Sequence, residues 1–429
     1  MGATLMFTNF ASRACRLGAI AAVGVASILS PAAHGQPGGA GRGGPQGGGM
    51  RGMMGDLFSS PVTNREIDLF TQVAGLTTDQ KEAAKTILEG YQENFRSRSN
   101  RVQRDMDRVR EKFQETRDPG VWLELRTTMQ DFRAQRTQME EQFFSDFKSL
   151  LTPQQVERWP AIERAHRRSR TLGRGMISGE RADLIQIMES SAFPVDVQAT
   201  VLPVLGDYEE ALDRALIARN KAYDEVADAF QQGGMGDGFA RAQELFAKGR
   251  EASIRVRELN RRYARQILDM LPETSKEAFD SAFKRASYPD VYRPTSAGRQ
   301  ISAAEQFTDL DDTQKESLSA VKTTYARSLA AINEKMAAAI TRREEEFDPR
   351  QMMQRMGRGG RGGGQGDNDQ TAELRREKRA LDETTAANLR KILREDQVGR
   401  LPQEGDDEAG DRRRGGGGGG GERRRGQEI

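Results

Sequence analysis

Leu76-Thr77-Thr78-Asp79-Gln80 leads into Ile87 and Tyr91, and Leu310-Asp311-Asp312-Thr313-Gln314 leads into Val321 and Tyr325 at the same internal spacing. Between them, Phe193-Pro194-Val195-Asp196-Val197 leads into Val204 and Tyr208. The three tyrosines lie 117 residues apart twice over (208 − 91 and 325 − 208), in a chain with seven tyrosines. The first block closes with Leu150-Leu151-Thr152-Pro153-Gln154-Gln155-Val156, and the third with Ile392-Leu393-Arg394-Glu395-Asp396-Gln397-Val398. The second closes only with Met270-Leu271-Pro272-Glu273. An internal repeat decides architecture before any single residue does, and a period of this length is that of a domain, not of a solenoid turn. The chain reads as three tandem copies of one helical module.

Working outward from the first motif, Thr77 is placed as a helix N-cap with Gln80 three residues on, the Thr-x-x-Gln form of a capping box. Upstream, Ile67, Leu69, Phe70 and Val73 predict a short helix ending at Gly75. Downstream, Ile87, Tyr91, Phe95, Val102, Met106, Val109 and Phe113 recur mostly at three- and four-residue steps, the period of a buried helical stripe. Asp118-Pro119-Gly120 is a turn signal. The stripe returns through Trp122, Leu125, Met129, Phe132, Met139, Phe143, Phe147 and Leu150, and Thr152-Pro153 opens a further helix. Two long striped helices joined by a short turn pack as an antiparallel hairpin. The same pattern recurs through Tyr208 and Leu271, and through Tyr325 and Leu393, with length differences at the hairpin tips, including the Gly/Arg stretch 357–366. No β-branched alternating run appears. The expected fold is therefore all-α: three tandem modules, each a long antiparallel hairpin with short flanking helices, plus disordered Gly/Arg-rich ends.

Arg13 and Arg16, an apolar run from Leu17 to Leu29, and Ser30-Pro31-Ala32-Ala33-His34-Gly35 have the form of a secretory signal cleaved near Gly35. A periplasmic, exported protein is expected. The expected division is a signal peptide at 1–35, a Gly-rich linker at 36–60, modules at 61–172, 173–292 (degenerate) and 293–403, and an Arg/Gly tail at 404–429. Cleavage removes Cys15 and His34, leaving no cysteine and one histidine, His166. That excludes disulfides, thiol nucleophiles and Cys/His zinc sites from the mature chain. Basic and acidic residues balance, 66 to 64, so no global field marks a polyanion partner. Thirty per cent charged with 6% aromatic is the profile of long solvated helices. Neighbouring carboxylates such as Glu140-Glu141 point in different directions on a helix and make a poor acid/base pair. No catalytic residue, cofactor site or metal site is expected.

The paired motifs, Leu76…Gln80 and Leu151-Thr152-Pro153-Gln154-Gln155, resemble the LTxxQ signature of the Spy/CpxP family of exported bacterial envelope proteins. The first module carries the resemblance closely and the third loosely, through Leu310…Gln314 and Leu393…Gln397. In the second, Phe193 and Val197 replace the leucine and glutamine. The resemblance implies small cradle-shaped helical modules, in a family that includes ATP-independent chaperones, inhibitors of envelope-stress signalling and metal-responsive proteins. Three modules in one chain depart from the family's usual single module, and a homodimer is left open.

Motif residues Leu76, Thr77, Gln80, Leu151, Thr152, Gln155, Leu310 and Gln314 are read as structural: threonine caps, leucine packs, glutamine bonds the neighbouring turn. For binding of unfolded or misfolded envelope proteins, the candidate face is Phe95, Arg96, Arg98, Arg101, Val102, Arg104, Met106 and Arg108, basic residues interleaved with apolar ones. Arg164, Arg167, Arg168, Arg170 and Arg174 form either a basic junction between modules or a docking patch for an acidic partner. The Arg/Gly segments lack the interleaved aromatics on which bases stack, so anionic envelope polymer or lipid headgroups are the expected ligands, if any, and nucleic acid is not. Two functions are expected: an ATP-independent holding chaperone, or alternatively a non-catalytic structural or stress-sensing envelope protein that binds a specific partner or anionic polymer.

Overall fold

The computed structural model describes residues 62–118, 120–191, 193–232, 237–347 and 370–402, with Phe58 and Ser60. The expected signal peptide, the Gly-rich linker as far as Leu57, the Gly/Arg stretch at 357–366 and the Arg/Gly tail lie outside the described residues. Within them every regular element is helical and there is no strand. The protein is all-α.

A short helix α1 (Asn64–Ala74) stops where Gly75 turns left-handed at φ 69°, a conformation a Cβ disfavours. The long helices α2 (Thr78–Thr116) and α3 (Val121–Ser149) pack along one another, followed by the single turn α4 (Pro153–Val156) and by α5 (Trp159–Thr171). The sequence stripe is the hairpin's inner face: Tyr91, Phe95, Val102, Phe132, Phe143 and Phe147 are buried in one core with Ile67 and Phe70 of α1 and Ile162 of α5. Ring pairs such as Phe70–Phe147 (5.4 Å) and Tyr91–Phe143 (5.4 Å) tie α1, α2 and α3 together, each adding about 1 kcal/mol beyond area burial.

After α6 (Leu184–Ser190), α7 (Val195–Gln232) and α8 (Asp237–Met270) form a second long pair, and α9 (Glu273–Ser287) follows. Tyr208 of α7 stacks edge-on against Tyr263 of α8 at 5.5 Å. Gly249 lets α8 approach α7 closely, because a Cβ there would fall 2.9 Å from the Tyr223 ring. After the turn α10 (Pro289–Tyr292) and α11 (Ser296–Ala304), a third pair is made by α12 (Asp312–Glu346) and α13 (Gln370–Ile392), ending in α14 (Glu395–Val398). Its core joins Ile301 and Ala304 of α11 to Leu318, Tyr325, Leu389 and Leu393.

By packing, the chain divides into two compact units. One holds the residues up to 176 with 183–224 and 249–279; the other holds 177–182, 225–248 and those from 280 on. Residues 195–224 of α7 and 249–270 of α8 belong to the first unit, and residues 225–232 and 237–248 to the second.

Candidate functional site

The repeated motifs meet in space. Thr77 and Gln80 make a full capping box, with Gln80 N donating to Thr77 Oγ1 (3.2 Å) and Thr77 N to Gln80 Oε1 (3.0 Å). Thr152 and Gln155 repeat it at α4. The two glutamine amides then clasp each other across 75 residues. Gln80 Nε2 donates to Gln155 Oε1 at 2.8 Å, and Gln155 Nε2 donates back to Gln80 Oε1 at 3.0 Å. Gln80 Nε2 also reaches the Leu150 carbonyl (2.7 Å), and Gln155 Nε2 the Gly75 carbonyl (3.0 Å). Leu76 and Leu151 pack against the hairpin core beside the clasp.

In the third pair, Asp311 and Gln314 make the capping box, and Gln314 Nε2 donates to Gln397 Oε1 (2.9 Å) and the Ile392 carbonyl (2.9 Å). Gln397 Nε2 donates to the Asp309 carbonyl (3.1 Å), and Leu310 is buried. Arg394 has no acceptor to offer as a cap, so only the glutamine half of that box forms, Arg394 N donating to Gln397 Oε1 (2.9 Å). The middle pair has no such clasp: Gln198 Nε2 bonds back to the nearby Phe193 carbonyl at 2.7 Å.

The three tyrosines of the repeat are all buried. Each has a polar counterpart eleven residues before the closing leucine: Glu140, Asn260 and Asp382 (151 − 140, 271 − 260, 393 − 382). Tyr208 donates to Asn260 Oδ1 at 3.0 Å, and Tyr325 to Asp382 Oδ1 at 2.5 Å. Burial pushes all three phenols up, and the nearby carboxylates Glu140 and Asp382 push Tyr91 and Tyr325 further. In the first pair Glu140 turns away, to His166 Nε2 (3.1 Å) and Arg170 (3.3 Å). Burial raises the Glu140 carboxyl, but His166 and Arg170 together bring it below its ordinary value. His166, against the edges of Phe70 and Phe144, is thus part of the fold's packing.

The basic stretch on α5 is occupied from within the first unit. Arg164 and Arg168 pair with Glu209 of α7 (3.3 and 3.2 Å), Arg168 also with Asp183 (3.2 Å), and Arg167 with Asp213. With Arg170 on Glu140, four of the five arginines form a junction between α5 and the elements around it. The fifth, Arg174, is exposed and also engaged.

The eight residues of the expected client face are not brought together. Phe95 and Val102 are buried in the hairpin core and Met106 packs against it, whereas Arg96, Arg98, Arg101, Arg104 and Arg108 are exposed. Arg96 pairs with Glu93 and Arg108 with Asp105. Arg98 reaches across the hairpin to Gln135 Oε1 at 2.7 Å. Arg101 and Arg104 are engaged by no other described residue.

Arg98 instead opens onto a groove of about 480 Å³ between α2 and α3. Ile87, Tyr91, Met139 and Phe143 line it from the core side, the last three less than a tenth exposed. Asn94, Arg98, Gln135, Gln138, Gln142 and Asp146 form its rims. Gly90 lies in the wall, and a Cβ there would meet nothing within 4 Å. Sequence reasoning passed over this site. Two signals in it were legible: a glycine inside a long helix, costing about 1 kcal/mol against alanine, and glutamines at 135, 138 and 142 sharing one helical face.

Among the described residues no group of three or more His, Cys, Asp or Glu side chains is placed to hold a metal ion, and no helix is long and apolar enough to cross a membrane. Compared with known proteins, the chain matches no family model, no curated protein and no solved structure.

Proposed function

We propose that the protein is an exported, periplasmic holding chaperone of Spy/CpxP type that binds unfolded or misfolded envelope proteins without ATP. The observation that carries this reading is the α2–α3 groove. Its apolar floor lies between amide and charged rims, a surface that takes extended chain weakly through many small contacts. Exposed Arg101 and Arg104 on α2 add long-range attraction for capture. The paired LTxxQ-like motifs and the signal-like N-terminus support the same reading from sequence. The alternative is a non-catalytic structural or stress-sensing envelope protein that binds a specific partner or anionic polymer. It is less favoured because four of the five arginines offered for docking already pair with Glu209, Asp213 and Glu140.

The test is light scattering from a chemically denatured client diluted with and without the mature chain and no nucleotide. Suppression at near-stoichiometric ratios is the expected result; none at severalfold excess, with helical circular dichroism intact, sinks the proposal. Gly90→Leu sharpens it. A Cβ at this groove-lining position meets nothing within 4 Å, and leucine improves helix propensity by about 0.8 kcal/mol. Tm should rise while suppression weakens, so lost activity cannot be blamed on lost structure. Unchanged suppression would remove the groove as the holding surface.

A further inference from the structure

The groove is electrically lopsided along its axis. At the end nearer the hairpin tip stands Arg98, followed on α2 by Arg101, exposed and engaged by no other described residue. Gly90, Asn94, Arg98 and Arg101 succeed one another at steps of four, four and three, so the positive charge continues the groove's own wall. At the end nearer the glutamine clasp stands Asp146, half-buried, bonded by Gln142 (2.8 Å) and paired with no cation among the described residues. Between Gln135 and Asp146 the helix advances eleven residues (146 − 135), about 16 Å at 1.5 Å each. Extended chain at about 3.3 Å per residue spans that length in roughly five residues.

We infer that the groove selects its segments by charge order as well as by apolarity. It takes an extended stretch of about five residues with apolar side chains on one face, an acidic side chain at the Arg98–Arg101 end and a basic one at the Asp146 end. This rests on the holding-chaperone reading and names the class of segment held. The physical cause is complementarity. A segment with like charges at both ends sets one of them against a groove end of its own sign, and an uncharged segment leaves Asp146 desolvated without a partner.

The experiment is fluorescence anisotropy with three end-capped, labelled peptides and the mature chain. In Lys-Ala-Leu-Ala-Glu the lysine, the leucine and the glutamate share one face when extended; the other two peptides carry Glu at both ends or Lys at both ends. The bipolar peptide should bind about fivefold tighter than either, one partly screened ion pair gained and one like-charge contact removed being worth roughly 1 kcal/mol together. Asp146→Lys should transfer the preference to the peptide with glutamate at both ends. That reversal cannot come from damaged folding, which would weaken all three alike. Equal affinities for the three peptides, no detectable binding, or an unchanged order in Asp146→Lys would each overturn the inference. If wild-type suppression of aggregation persists in those cases, the chaperone reading stands and only the charge order falls. If suppression is absent as well, both fall.

Discussion

The outer helix pairs and the middle one solve the same problem with different chemistry. At their open ends the outer pairs carry two glutamines, Gln80 with Gln155 and Gln314 with Gln397, whose amides bond to each other and to opposite carbonyls. The middle pair lacks those amides and puts its polar groups deep inside instead. Tyr208, Ser253 and Asn260 are fully buried, and the side chains of Arg219 and Arg257 are as enclosed as any in the core. Arg219 donates to the Thr171 carbonyl, and Tyr223 and Ser253 share a hydrogen bond of 3.1 Å. A buried polar contact costs heavily when one partner is removed. The first clasp is half-exposed and water can replace it, whereas Gln314 and Gln397 of the third are buried like the polar groups of the middle pair. Loss of the repeat motif in the middle pair therefore goes with more dependence on neighbours, not less.

The largest expected effect tests that dependence at the junction. Glu209 of α7 holds both Arg164 and Arg168, and the Arg168 side chain is only 9% exposed. Glu209→Ala should cost about 2–3 kcal/mol in urea unfolding, somewhat below a fully buried pair because Asp183 still holds Arg168. Glu93→Ala, which frees exposed Arg96, should cost no more than about 0.5 kcal/mol. Equal and small effects would mean the junction is not structural, and would reopen α5 as a docking surface. Next in size comes Tyr208→Phe. It removes the phenol that donates to Asn260 Oδ1 in a fully buried site, at about 2 kcal/mol. Tyr325→Phe should cost about half as much, since Asp382 is only partly buried. Reversed magnitudes in thermal unfolding would break the contrast drawn between middle and outer pairs.

The glutamine clasp should be worth less. Gln80→Leu and Gln155→Leu are each expected to cost about 1–2 kcal/mol. Because each removes the other's partner, the double variant should cost about 1 kcal/mol less than the sum. Strict additivity would show that the amides act only as local caps and that the link across the hairpin carries no energy.

How much of this was legible in sequence depended on distance along the chain. The cap at Thr77, the stop at Gly75 and the stripe through Tyr91 and Phe95 are set by neighbours within a few residues, and periodicity reports them. The amide pairing of Gln80 with Gln155 is not local, and the motif's spacing alone gives two caps without the bond between them. The arginines of α5 are paired with Glu209 and Asp213, more than forty residues on, so composition could name a basic cluster but not its partners. The interleaving of Phe95 and Val102 with arginines misled for a geometric reason. At about 100° per residue, Phe95 and Val102 fall almost on one line, while Arg101 and Arg104 turn away from it. Closeness in sequence was separation in space. The groove needed two helices at a fixed rotation, which neither helix specifies by itself.

The smallest expected effect separates the two clasps from each other. Beside the first, Arg158 donates to the Ala74 carbonyl (3.2 Å), a contact without a titrating group. At the matching place beside the third, Arg400 and Arg394 hold the Asp309 carboxylate at 2.7 and 2.8 Å. Arg400, with Gln397 assisting, brings the Asp309 carboxyl down to about 2. A carboxylate near 4 in the unfolded chain and lower in the folded one stabilises the fold above about pH 4. That contribution fades as pH falls through the folded value. Asp309→Asn should therefore melt a little below wild type at neutral pH. The gap should narrow between about pH 4 and pH 2 and vanish below it, where the wild-type carboxyl is itself neutral. Arg158→Ala should shift Tm by an amount that does not change across the same window. A pH-independent gap for Asp309→Asn would mean that the arginines act there through packing, as at the first clasp, and that the two clasps do not differ in this respect.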